Sequence, residues 1–350
     1  MMFRILLSVL IVLVVAPLGG CSRERIAADG SITLTYASPY PPSHPFSRAD
    51  IAWMTFVAER SQGRLRIHPY WGGVLSSENS MLEIRHGVVD IGLITPIYTR
   101  GGAHAQRTQT GFYGGVRTIE DQVDVYKCLE REFASLRNEL RGLHVLAVQG
   151  GNFPGILTRA RPIRSIEDIR GQRLRGPTEI VHVLRDLEAD PVNMPMGDTY
   201  SALAKNVLDG VVAPEDTFRS LHFNEVTRYF SEARFSRGAY PARAMTEATW
   251  RALPPDLREV LDESQDVWEA ALSAELNRAR EAGAQYGRDN GMEFIAFPAE
   301  DQAQLDEVYN RSARVMAEDL EQYGIDGVAI FDRAQALVAA RNAGRQEICP

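Results

Sequence analysis

Few of the chemically competent side chains in this chain are spaced to act together. The seven histidines, His44, His68, His86, His104, His144, His182 and His222, contain no i, i+4 pair. A zinc site would therefore need scattered ligands. The nucleophile elbow GxSxG and the phosphate-binding patterns GxxxxGK and GxGxxG are absent. Gly150-Gly151-Asn152-Phe153-Pro154-Gly155 is glycine-rich, but its spacing is wrong for a phosphate loop and no helix follows at once; it reads as a flexible crossing between domains. The segment Arg173-Leu174-Arg175-Gly176-Pro177 is more suggestive. Its arginines are two apart, so on a strand they share one face while Leu174 packs on the other. Arg175 is the last residue before the Gly-Pro break, and open α/β sheets bind ligands at the C-terminal ends of their strands. A guanidinium partly desolvated there needs an anion, because an unpaired buried charge is costly. Its planar fork suits a carboxylate, which it grips through parallel hydrogen bonds. Spacing alone leaves open whether that carboxylate belongs to a ligand or to the protein.

The elements that must position this arginine are legible in outline. Residues 32–37 alternate as a strand, 39–45 form a proline-rich turn, 46–60 have a helical apolar face, 64–70 form a strand, 78–86 a helix and 90–94 a buried strand. This alternation predicts parallel sheet. Further on, 119–141 reads as a helix, 143–148 as a strand, Ser165 as a helix N-cap, 172–175 as a strand, 179–187 and 200–207 as helices and 211–212 as the start of a strand. From 256 to 290, Leu257, Val260, Leu261, Val267, Trp268, Leu272 and Leu276 keep helical spacing. Such a helix would reach roughly 50 Å, more than one small α/β domain, and so should lie across two. Gly283 and Gly287 weaken its last turns.

Length and charge narrow the function. A chain of 350 residues exceeds what one core usually supports, which predicts two domains. With 46 acidic and 38 basic residues, a net charge of −8 and no basic block, nucleic acid is not expected as a partner. Three cysteines are too few for a disulfide framework or a Cys-rich metal site. At the N-terminus Arg4, an apolar run from Ile5 to Val15 and Leu18-Gly19-Gly20-Cys21 resemble a bacterial lipoprotein signal. Residues 1–20 are thus expected to be a signal peptide with lipobox, Cys21 the lipidation site, and 21–30 a tether that holds the protein at a membrane on the periplasmic side. Cys128 and Cys349 are in a compartment that permits a bond, but a fraying C-terminus predicts that they stay apart.

The stretch from Arg161 to Pro177 resembles the "rP-I-x-s-x-e-D-l-x-G-x-k-i-R-v-P" pattern of TRAP-transporter solute-binding proteins, the DctP-like family. Met194-Pro195-Met196 through Tyr200-Ser201-Ala202-Leu203 to Asp209-Gly210 is similar to that family's "p-M-x-f-x-E-v-Y-x-A-L" and "v-v-D-G" stretches. Gln62-Gly63, Gly73-Val74-Leu75, Gly87-Val88-Val89-Asp90 and Leu253-Pro254-Pro255 resemble further family segments, in order, over nearly all of the mature chain. The resemblance implies an α/β, two-lobed periplasmic binding protein fold with a long helix bracing both lobes. Lobe I would comprise 31–151 plus 239–282, lobe II 152–238 plus 283–350, and the long helix 256–290. It implies a non-enzymatic protein without cofactor or metal. That protein captures a small carboxylate ligand, closes, and delivers it to the membrane permease subunits of a TRAP transporter; a lipoprotein serving a sensory receptor is the alternative.

By the same resemblance Arg175 is the carboxylate clamp, and Ser38, Thr95 and Asn152 lie on loops facing the cleft, with Tyr240 an aromatic candidate. This chain departs from the family pattern at Gly155, where many members carry a second arginine, at Ala213, where an asparagine is common, and at Met196, an aromatic position. Each change removes a polar group or a ring, which predicts a monocarboxylate, such as a 2-oxo or hydroxy acid, with an apolar tail rather than a dicarboxylate.

Overall fold

The computed structural model describes residues 27, 29–99, 101–345 and 349. The expected signal peptide, the lipobox with Cys21 and most of the tether lie outside the described residues. The described residues form eleven strands: β1 (Ile32–Ser38), β2 (Leu65–Trp71), β3 (Ile91–Leu93), β4 (Leu143–Gln149), β5 (Gly155–Thr158), β6 (Arg173–Gly176), β7 (Asp190–Asn193), β8 (Gly210–Ala213), β9 (Tyr229–Ser231), β10 (Tyr240–Thr246) and β11 (Glu293–Ile295). They form a five-stranded sheet in the order β2-β1-β3-β10-β4 and a six-stranded sheet in the order β11-β9-β5-β8-β6-β7. The chain is thus α/β with two lobes, each built on one sheet.

The parallel pairing expected from the βαβ pattern holds for β1 with β2 and β3, and for β6 with β7 and β8. It fails at β10, antiparallel to β3 and β4, and at β5, antiparallel to β8 and β9. Both exceptions begin just after the chain has crossed from one sheet to the other, through 150–154 and 232–239. A crossing strand enters its new sheet directly from the other lobe, so its direction is not dictated by a helical return.

The third link is the helix Pro255–Asp289, 35 residues long, or roughly 50 Å at ~1.5 Å per residue. Its apolar face buries Leu257, Val260, Leu261, Trp268, Leu272 and Leu276 against the first sheet's core. Gly283 and Gly287, which as sequence weaken this helix, are where it presses on the second lobe. A Cβ on Gly283 would lie 2.2 Å from the Glu215 carbonyl oxygen, and one on Gly287 2.7 Å from the Phe218 ring. The glycines permit a close crossing that side chains would block.

The helix expected over 119–141 is instead two, Ile119–Glu132 and Ala134–Glu139, because Phe133 turns to φ −105°, ψ 110°. Ser165 opens a short 3-10 turn, Ile166–Ile169, through a reciprocal cap with Asp168 rather than a full helix. The expectation that Cys128 and Cys349 stay apart is corrected: they are bonded, with their Cα atoms 5.2 Å apart. The C-terminal helix Gly327–Asn342 packs on Ile119–Glu132 and brings the chain end back to Cys128. No described helix is long and apolar enough to cross a membrane.

Candidate functional site

Arg175 stands at the C-terminal end of β6, as the sequence predicts, and is 1% exposed. Its neighbour Arg173 faces solvent, where Nε lies 3.3 Å from Asp190. The Arg175 Nε and Nη2 groups donate to the Met194 carbonyl at 3.0 and 2.9 Å, and Nη2 also donates to the Tyr98 hydroxyl at 2.6 Å. Among the described residues no carboxylate comes within ion-pair distance of it. The internal salt bridge that spacing left open is therefore absent. The Met194 carbonyl fixes the guanidinium plane and holds one edge, leaving Nη1 uncommitted.

Tyr98 follows β3 in the first lobe, so its bond to Arg175 spans the cleft. Thr178 Oγ1 does the same by donating to the Ile97 carbonyl at 3.0 Å. Between the lobes lies a cavity of ≈ 80 Å³. Of the residues expected at the ligand, Arg175, Asn152, Thr95, Met196 and Tyr240 line it. Ser38, Ala213 and Gly155 do not. Ser38 is buried at the end of β1, behind Tyr40, whose backbone N–H it accepts. Ala213 lies on the β8 face opposite Val212, which lines the cavity, as strand alternation requires. Gly155 is pressed against its neighbours; a Cβ there would sit 2.5 Å from the Ser231 carbonyl oxygen. An arginine at that position would not fit this backbone.

Several lining side chains are already spent on the protein. Asn152 Nδ2 donates to Asp216 at 3.0 Å and to the Leu276 carbonyl at 2.9 Å, tying the first crossing to the long helix. Thr95 Oγ1 donates to the Ser77 carbonyl, and its N–H to Ser80 Oγ. The Tyr240 hydroxyl accepts from Gln149 Nε2 at 2.7 Å, and burial pushes its phenol up to about 12. Tyr36, in the core, packs edge to face with the half-buried Trp71, and its hydroxyl donates to Asp50.

Sequence reasoning missed Tyr40, His44, Phe46, Tyr98, Glu179 and Arg237, all of which line the cavity. His44 and Phe46 carried a partial signal, because the turn 39–45 opens onto a helix. His44 caps that helix: its Nδ1 accepts the Phe46 N–H at 3.2 Å, and it stacks on Tyr40 with ring centroids 4.1 Å apart. The proton of the neutral ring is therefore on Nε2. Burial, helped by Arg48 and Arg243, drives the His44 pKa down to about 3. The unfolded ring titrates near its ordinary 6.5, so between those values the unfolded chain binds the extra proton. Stability from this group is complete above the unfolded pKa and falls as pH drops, by at most ~1.4 kcal/mol per pH unit. We expect urea unfolding between pH 6.5 and 4.5 to show this slope. The variant His44→Asn, which keeps a cap, should remove it; equal slopes in the two proteins would contradict the assignment.

Residues 37–319 match the family of bacterial extracellular solute-binding proteins, family 7 (DctP), and the chain belongs to it. A curated solute-binding protein of Albidiferax ferrireducens is 26% identical over 215 residues, covering 59% of this chain and 61% of the relative. The aligned region thus spans about three-fifths of that relative's length. Among solved structures, a TRAP solute-binding protein from Rhodoferax ferrireducens T118 in complex with copurified benzoate is 25% identical with a TM-score of 0.82, over 90% of this chain and 99% of that one. A marine metagenome TRAP solute-binding protein specific for aromatic acid ligands, in complex with metahydroxyphenylacetate, is 22% identical with a TM-score of 0.78, over 88% and 99%.

Proposed function

We propose that this protein is the extracytoplasmic solute-binding component of a TRAP transporter, and that its ligand is a compact monocarboxylate with an apolar body. One observation carries the reading: Arg175 is buried, has no acid among the described residues within ion-pair distance, and borders an interlobe cavity. A buried cation of this kind is stable only when something anionic completes it. The rest of the wall supports the apolar body. Leu93, Ile97, Ile180, Val212 and Phe46 contribute hydrocarbon, and Tyr40, Tyr98 and Tyr240 contribute rings. The ≈ 80 Å³ cavity is smaller than the ~150 Å³ that admits benzene. A short branched chain suits it directly, and a single ring would require the lobes to part slightly. The benzoate and metahydroxyphenylacetate held by the two relatives are acids of this class.

Closure follows from the same geometry. Residues 31–151 with 239–282, and 152–238 with 283–350, are the two moving bodies in this reading. The C-terminal helix Gly327–Asn342 packs on both Ala299–Glu318 and Ile119–Glu132, and Cys349 beyond it is bonded to Cys128, so this end of the chain contacts both bodies. A ligand touching both bodies shifts the open–closed balance by its differential affinity. The closed form then docks on the permease subunits, with acyl chains at Cys21 keeping it at the membrane.

The test is to denature protein purified from its host, identify the released small molecule by mass spectrometry, and run a thermal-shift panel. A released monocarboxylate, and larger shifts with monocarboxylates than with succinate, are expected. Largest shifts with dicarboxylates would reject the ligand class.

A further inference from the structure

The cavity has a second polar end that the carboxylate clamp does not use. Glu179, in the first turn of helix Thr178–Asp186, is 5% exposed, lines the cavity, and its Oε2 has no hydrogen-bond partner. Arg237, on the second crossing, lines the same cavity. Among the described residues no hydrogen bond or ion pair engages its guanidinium. That group lies flat over Gly151, where a Cβ would stand 2.5 Å from Nη1 and 2.6 Å from Cζ. The missing side chain at Gly151 makes room for it. The two groups feel each other: burial raises the Glu179 carboxyl above its ordinary range, and Arg237, followed by Arg175, opposes that rise. Yet neither satisfies the other's hydrogen bonds.

We propose that Glu179 and Arg237 together hold a hydroxyl on the body of the ligand, so that the preferred guest is a hydroxylated monocarboxylate. This deepens the carboxylate-capture reading and rests on it. A hydroxyl is the group that donates to the Glu179 oxygen and accepts from Arg237 at once. A bare hydrocarbon end leaves a buried carboxyl oxygen and a guanidinium without partners, which costs affinity. A second carboxylate gains Arg237 but meets Glu179 and the buried Asp216, whose carboxyl is likewise raised by burial. Glu179 comes from the second lobe and Arg237 from the crossing, so a guest between them also adds to the force of closure.

Calorimetry with matched acids tests this: benzoate against 3-hydroxybenzoate, butanoate against 3-hydroxybutanoate, and isophthalate as the diacid. In the unaltered protein the better hydroxy acid should bind about 10- to 100-fold tighter than its parent, and isophthalate should bind more weakly than benzoate. In Glu179→Met and in Arg237→Met the ratio of hydroxy to parent dissociation constants should fall towards one. In Gly151→Ala, which displaces the guanidinium, it should fall in the same direction. Parent and hydroxy acids binding alike, a ratio untouched by both methionine variants, or isophthalate binding tightest would each overturn the second pole while leaving the clamp standing. If no acid in the set bound, the underlying reading would fall with it.

Discussion

Arg175→Ala is expected to cost at least ~2 kcal/mol of ligand affinity, and up to ~5, because it strips a buried carboxylate of its partner. In dissociation constant that is a loss of roughly 30-fold or more, which calorimetry with the acid recovered from the host would read directly. The loss should be one of binding and not of folding. In this structure no carboxylate among the described residues pairs with the guanidinium, and Glu179 acts on it only at a distance; it is held by the Met194 carbonyl and the Tyr98 hydroxyl. A buried charge so poorly compensated contributes little to the stability of the unliganded chain. The thermal midpoint without ligand should therefore stay within a few degrees of the parent or rise, while the ligand-induced shift disappears. Arg175→Lys should recover only part of the affinity, since a point charge lacks the planar fork. An Ala variant that binds as the parent does would remove the clamp from the site; one that fails to fold would show that Arg175 works as a core residue instead.

That contrast explains which parts of the site could be read in advance. Arg175 was visible because its burial is encoded locally: a strand, an apolar neighbour on the opposite face, and a Gly-Pro stop in successive residues. The long helix was visible for a similar reason, with seven apolar positions repeating at helical spacing. Glu179 and Arg237 carried no such signal. They are 58 positions apart in sequence and are brought together only because the chain crosses between the sheets at 232–239. Ser38 and Ala213 show the converse. Ala213 lies between two lining residues, Val212 and Pro214, and strand alternation turns it away from the cavity, whereas Ser38 ends β1 two positions before the lining Tyr40 and is buried behind it. β10 escaped detection because it is buried on both faces and so shows no polar–apolar alternation, while Pro241 and Arg243 disguise a central strand. The bond between Cys128 and Cys349 depends on a helix that returns to the first lobe, which no local pattern announces.

The largest stability effect should come from Asp50, outside the cavity. It accepts hydrogen bonds from Arg243 Nε at 2.8 Å and Nη2 at 3.2 Å, from Trp268 Nε1 at 2.8 Å and from the Tyr36 hydroxyl at 2.6 Å. Asp50 and Arg243 are both 0% exposed. Asp50 therefore joins helix Pro45–Arg60, β1, β10 and the long helix at one point. Asp50→Ala leaves a guanidinium, an indole N–H and a phenol without their acceptor in a dry core. Breaking a buried pair on one side costs ~3–5 kcal/mol, a large share of the ~5–15 kcal/mol that holds a domain together. Glu263→Ala, which breaks the exposed pair with Arg60, should cost under ~1 kcal/mol in the same urea titration. Removing both charges, as in Asp50→Leu with Arg243→Met, should be milder than Asp50→Ala alone, because no charge is then stranded. The effect should also reach the ligand. Arg243 Nη1 donates to Gln149 Oε1 at 3.0 Å, and Gln149 in turn holds the Tyr240 hydroxyl at the cavity wall. A protein that loses Asp50 should thus bind its acid more weakly even where enough of it remains folded to measure. If Asp50→Ala unfolds within 1 kcal/mol of the parent, as judged by the same titration, Arg243 has found water or another acceptor, and this junction does not hold the long helix to the first lobe.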